Sequence, residues 1–117
     1  MTVKECYEKL EGDYSGTMSR MMKEDRMKKF LLLFLQDTSY QMLCENMDKG
    51  DVDEAFRAAH TLKGVTINLG LSKLNRASFE ITEALRAKDL ERAKVFLPEV
   101  TQCYEETIEA IQGLQEE

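Results

Sequence analysis

The sequence predicts an all-α protein, and three observations carry that expectation. Apolar residues recur at three- and four-residue spacing over long stretches, the period of a helix rather than of a strand. Glycine and aspartate punctuate those stretches at helix-length intervals, and β signals are weak. Only one proline occurs in 117 residues, a length that suits one domain spanning 1–117 with a core of its own.

A first helix is expected over residues 3–11, ending at Gly12, and a short second one over 17–22 that brings Met18, Met21 and Met22. The next spans 25–49 and stops at Gly50, a natural C-cap. Its centre, Phe30-Leu31-Leu32-Leu33-Phe34-Leu35, is apolar all round, so it must be covered on more than one side, with the N-terminal helices as the lid. Asp51 opens the following helix as N-cap, with Glu54 reaching back in a capping box, and Gly70 closes it. Ser72 caps a helix whose buried stripe is Leu74, Ala77, Ser78, Ile81 and Leu85. Asp89 caps the last, with Ala93, Phe96, Leu97, Val100, Tyr104, Thr107, Ile111 and Leu114 on its apolar row. Pro98 inside that row removes a backbone hydrogen bond and predicts a bend over 94–98. Four long amphipathic helices joined by short turns give an antiparallel up-down four-helix bundle with short extra N-terminal helices.

The helix between Asp51 and Gly70 holds the only histidine. At about 100° per residue, Ala55, Ala58, Ala59, Leu62, Val65, Thr66 and Leu69 gather into one small, mostly apolar face. His60 falls on the opposite side, among Phe56, Lys63, Gly64 and Ile67. A solvated face normally carries charged or amide side chains, so Phe56 and Ile67 there point to a partner. Gly64 in a helix interior costs roughly 1 kcal/mol against alanine, and clearance for another protein's backbone is a reason to keep it. Lys63 places an ammonium where it would neutralise an anion on the imidazole. Asn68 lies at the edge of the same face, and Arg57 and Arg76 offer positive charge to an acidic partner.

These residues resemble the histidine-containing phosphotransfer (HPt) family, whose signature reads roughly H-x-L-K-G followed by small residues and a closing L-G. Here it stands as His60-Thr61-Leu62-Lys63-Gly64 and, after four residues, Leu69-Gly70. Val65 is larger than the residue the family usually has after the glycine. The resemblance implies a helical bundle whose exposed histidine accepts a phosphoryl group from an aspartyl phosphate on a receiver domain and passes it on. It implies His60 as the phosphorylated nucleophile, Lys63 as the phosphate-stabilising cation and Gly64 as the clearance position. Phe56, Ile67, Asn68 and Arg57 are then the expected contacts with receivers of response regulators or hybrid sensor kinases.

Other function classes fare worse. A net charge of −6 argues against a nucleic-acid groove, which needs a basic stripe. No apolar run approaches the roughly 20 residues of a membrane span, and no signal peptide is visible. Cys6, Cys44 and Cys103 are odd in number and widely spaced, which reads as reduced thiols in the cytoplasm. One histidine without ligand spacing gives no metal site, and a di-metal carboxylate bundle would want inward Glu-x-x-His pairs that are missing. Without a phosphate-binding loop or kinase motif the chain is expected to be a carrier and not an enzyme that uses ATP. No cofactor is expected, Mg²⁺ belonging to the receiver partner, and the carrier is expected to be a monomer. Two alternatives stay open: an adaptor bundle that binds receivers without transfer, and a module cut from a hybrid or chemotaxis kinase. Met1 and the chain length favour a free-standing carrier.

Overall fold

Apolar periodicity and capping residues resolve into seven helices in the computed structural model, which describes residues 1–115. They are α1 (Val3–Lys9), α2 (Tyr14–Met21), α3 (Glu24–Phe34), α4 (Ser39–Lys49), α5 (Val52–Asn68), α6 (Ser72–Arg86) and α7 (Leu90–Gln115), and no strand occurs among the described residues. α5 packs between α4 and α6, and α6 packs on α7. α1 and α3 lie against α7, and α2 lies against α3. The core is built from Leu31, Leu43, Leu62, Ile81 and Ile111, each fully enclosed, with Ala55 and Ala59 as the small residues of the central helix.

The 25–49 segment is not one helix. It breaks after Phe34, where the amides of Leu35, Gln36 and Asp37 bond only three residues back and tighten the last turn. Asp37 Oδ1 then accepts from the Ser39 amide at 2.9 Å, so its side chain competes with the backbone and restarts the chain as α4. The apolar centre is also less covered than its composition demands. Leu31 and Phe34 are buried, but Phe30 is 40 % and Leu33 47 % exposed.

Three terminal details differ from expectation. α1 stops at Lys9, and Glu11 adopts a left-handed conformation before Gly12. Asp51 caps α5 by accepting from the Glu54 amide at 3.1 Å, but the Glu54 carboxylate pairs with Arg57 at 3.2 Å instead of reaching back. A capping box does form at Thr2 and Glu5. Ser72 is the first residue of α6 rather than its cap, and its hydroxyl donates to the Gly70 carbonyl at 3.4 Å. Asp89 does cap α7, accepting from the Arg92 amide at 3.1 Å, and α7 is continuous through Pro98.

The end of α5 is held unusually well. Gly70 takes φ +68°, and the Leu71 and Gly70 amides donate to Thr66 and Ile67 carbonyls at 2.9 and 3.2 Å, a Schellman closure. The remaining carbonyls are taken by the N-terminal helices: Tyr7 Oη donates to Leu69 at 2.6 Å and Arg20 Nη2 to Asn68 at 3.0 Å. Asp13 N donates to Gly70 at 2.9 Å. A β-carbon at Gly70 would collide with the Thr17 hydroxyl, so close approach as well as positive φ requires glycine there.

Candidate functional site

α5 presents two faces with different jobs. Ala55, Ala58, Ala59, Leu62 and Thr66 are buried against the neighbouring helices, while His60, Thr61, Gly64, Ile67 and Asn68 are exposed. His60 is therefore held on the outer surface of a helix whose inner side is fixed by the core. The backbone beside it is further tied to α6. The Lys63 carbonyl accepts from Asn75 Nδ2 at 2.8 Å and from Thr66 Oγ1 at 3.0 Å. Two side-chain donors on one carbonyl fix the turn that contains Lys63 and Gly64.

α5 and α6 run antiparallel, since the Phe56 end of one meets Arg86 of the other and Lys63 meets Phe79. Two parallel rows result. On α5, Phe56, His60 and Lys63 stand at i, i+4 and i+7, and on α6 so do Phe79, Glu83 and Arg86. The Phe56 ring stacks on the His60 imidazole with centroids 5.7 Å apart and planes 17° from parallel. The Arg86 guanidinium lies 4.9 Å from the Phe56 centroid, and the Lys63 ammonium 5.2 Å from that of Phe79. Arg86 Nε donates to Glu83 Oε2 at 2.9 Å, and this hydrogen bond holds the Glu83 carboxyl below its ordinary pKa.

Most of the site residues expected from sequence meet here, and one needs correction. Ile67 is 60 % exposed and Asn68 is exposed. Gly64 faces open space: a β-carbon built there meets nothing within 4 Å. Arg57 is exposed and engaged with Glu54. Phe56, however, is half-buried and packs on the core cluster, because Arg86 reaches across from α6 to cover it. It is a support for the imidazole more than a free apolar anchor. Arg76 is exposed on α6.

Sequence reasoning missed the residues that other elements contribute. Asn75, Phe79, Glu83 and Arg86 all come from α6, and only Phe79, an aromatic side chain off the buried stripe, carried a legible signal. The apolar run predicts Phe30 and Leu33 of α3 to be covered, yet with Arg20, Val65 and Asn68 they line an open groove of about 490 Å³ on the flank of α5. The groove shares Asn68 with the His60 face.

The arrangement exposes an imidazole, with Lys63 on the following turn, Arg86 over the Phe56 ring that stacks on it, and open space at Gly64. The cysteines are unpaired thiols, and among the described residues no group of three His, Cys, Asp or Glu side chains is placed to hold a metal ion. No helix among the described residues is long and apolar enough to cross a membrane. No curated protein and no solved structure matches the chain. The family model described as Hpt domain matches residues 29–112, a span that contains α4, α5 and α6 whole and most of α3 and α7. Hpt domains are phosphotransfer modules of two-component signalling that interact with receiver domains in phosphorelays. With well over half of its length matched, and with the one histidine exposed on the central helix of that span, the chain belongs to the Hpt domain family.

Proposed function

We propose that this chain is a histidine phosphotransfer protein in which His60 accepts a phosphoryl group from a receiver's aspartyl phosphate and passes it to another receiver. The carrying observation is the placement of His60: exposed on the outer face of α5, stacked on Phe56, with Lys63 one turn on and open space at Gly64. In the forward step the unprotonated ring nitrogen forms the N–P bond while the acyl-phosphate P–O bond breaks, its electron pair leaving with the receiver's carboxylate. The reverse step loads the next receiver. Catalysis of such transfers rests on in-line positioning and charge neutralisation, so Lys63 supplies charge from this side and the receiver's Mg²⁺ from the other.

In this reading residues 1–117 form one cytoplasmic domain and a monomeric carrier, its α4–α7 core being the antiparallel up-down bundle of the family and α1–α2 the brace at the end of α5. The chain needs no cofactor and does not act on ATP. The receiver docks over Gly64 and Ile67, with Asn68 and Arg57 at the margins, and extends onto Phe30 and Leu33 of the adjoining groove. Leu33→Ala should leave the melting temperature nearly unchanged, since Leu33 is half-exposed, and should weaken receiver binding by more than about 1 kcal/mol if the groove carries an anchor. Calorimetric titration decides it, and unchanged affinity removes the groove from the footprint.

Gly64 gives a sharper separation of fold from function. A methyl there meets nothing within the protein and raises helix propensity, so Gly64→Ala should hold or increase stability by up to roughly 1 kcal/mol. Transfer or receiver affinity should fall all the same. Normal transfer in a well-folded Gly64→Ala protein would refute the clearance role.

The whole reading is tested by incubating the chain with each phosphorylated receiver of its organism. Acid-labile, base-stable label on the chain is the expected result. Receiver binding without label would instead identify a non-transferring adaptor, and neither binding nor label with any receiver would remove the proposal.

A further inference from the structure

One carboxylate stands between the places where two cations rest on the outer row of α6. Glu83 stands between Phe79 and Arg86 on the outer row of α6, its Oε2 accepting from Arg86 Nε at 2.9 Å. Lys63 rests its ammonium 5.2 Å from the ring centroid of Phe79, one turn before Glu83 on the same row. The Arg86 hydrogen bond first, and then the charges of Arg86 and Lys63, hold the Glu83 carboxyl below the ordinary value. Along α5 the two cations bracket the imidazole. Arg86 sits over Phe56, one turn before His60, and the Lys63 stem leaves the turn after it to rest its ammonium on Phe79. Neither cation is bonded to the imidazole; both are held on α6 side chains.

We propose that Glu83 is the counter-charge on which Lys63 and Arg86 rest while His60 is unmodified, and that a phosphoryl group on His60 draws both cations away from it. The inference rests on the phosphotransfer reading and deepens it, since Glu83 then sets how tightly the phosphoryl group is held. Two cations and one carboxylate leave a single positive charge, which a phosphoryl group of about −2 overturns. Cations fixed at the imidazole would trap the group; cations that a carboxylate takes back release it to the next receiver. As a helix ion pair the contact itself adds little to stability. Glu83 and Arg86 are 43 % and 53 % exposed at i, i+3, where an ion pair contributes little to a helix.

The test loads the full chain chemically with phosphoramidate, ammonia leaving as the N–P bond to His60 forms, and follows phosphohistidine decay by phosphorus NMR. In that decay water attacks phosphorus, the P–N electron pair returns to the ring nitrogen with a proton from the water, and inorganic phosphate leaves. Glu83→Gln should lengthen the lifetime about two- to five-fold, the range of a partly exposed charge interaction. The same substitution in a Lys63→Ala, Arg86→Ala background should change nothing, because no cation is left to release. An unchanged or shorter lifetime in Glu83→Gln overturns the inference. So does an equal gain in the cation-free background, which would mean direct repulsion of the phosphoryl group by Glu83. Either result leaves phosphotransfer through His60 standing if the parent protein takes label from a receiver. A parent protein that takes label neither from phosphoramidate nor from any receiver overturns both.

Discussion

His60→Gln should take no label at all from a phosphorylated receiver, while the parent protein is labelled. Only one histidine exists in the chain, so there is no second imidazole to accept the group. Glutamine keeps a polar side chain of moderate helix propensity at an exposed position, so the fold should change in stability by no more than about 0.5 kcal/mol. The chemistry of the label is part of the result. A P–N bond is cleaved by acid, which protonates the leaving nitrogen, and survives base, whereas an acyl phosphate is lost in base. Label that persists in a folded His60→Gln protein would place the acceptor elsewhere and remove His60 from the mechanism.

The second large effect separates two leucine-sized side chains five residues apart on α5. Leu62 is fully enclosed, so Leu62→Ala should cost about 2–5 kcal/mol through lost burial and the cavity left behind. That is a large share of the roughly 5–15 kcal/mol that holds a typical domain folded. Ile67 is 60 % exposed, and Ile67→Ala should alter stability by less than about 0.5 kcal/mol. Its effect should appear in receiver binding, weakened by more than about 1 kcal/mol, close to a five-fold change in Kd or more. Urea unfolding and receiver titration on both variants read the two effects separately. A destabilised Ile67→Ala protein of unchanged affinity per folded molecule would show that Ile67 is structural and that the docking surface lies elsewhere.

How much of this was legible in the chain itself depends on how local the cause is. The two faces of α5 were readable because a helix fixes the direction of each side chain by sequence position alone. Ala55, Ala59 and Leu62 had to point together, and His60 had to point away. The closures at Gly50 and Gly70 and the cap at Asp89 were readable for the same reason, since each is satisfied by atoms within a few residues. The family signature around His60 was likewise a contiguous string.

What lay beyond the sequence was decided between elements. Asp37 is compatible with a helix interior, yet here the helix ends before it and its carboxylate serves the Ser39 amide. The Glu54 carboxylate had two partners within reach and took Arg57, because a nearby guanidinium is a better partner than a single backbone amide. Phe56 points outward on its own helix, as the periodicity says, yet Arg86 of α6 covers it, and only the antiparallel register of α5 and α6 brings those two residues together. Phe30 and Leu33 look like core in an apolar run, but α2 leaves the groove open beside them. Periodicity therefore determined which way each side chain leaves its helix, a local property of backbone geometry. Which of those side chains is covered, bridged or left to meet a partner was decided by the neighbouring helices, because burial is a property of the pair and not of the strand of sequence.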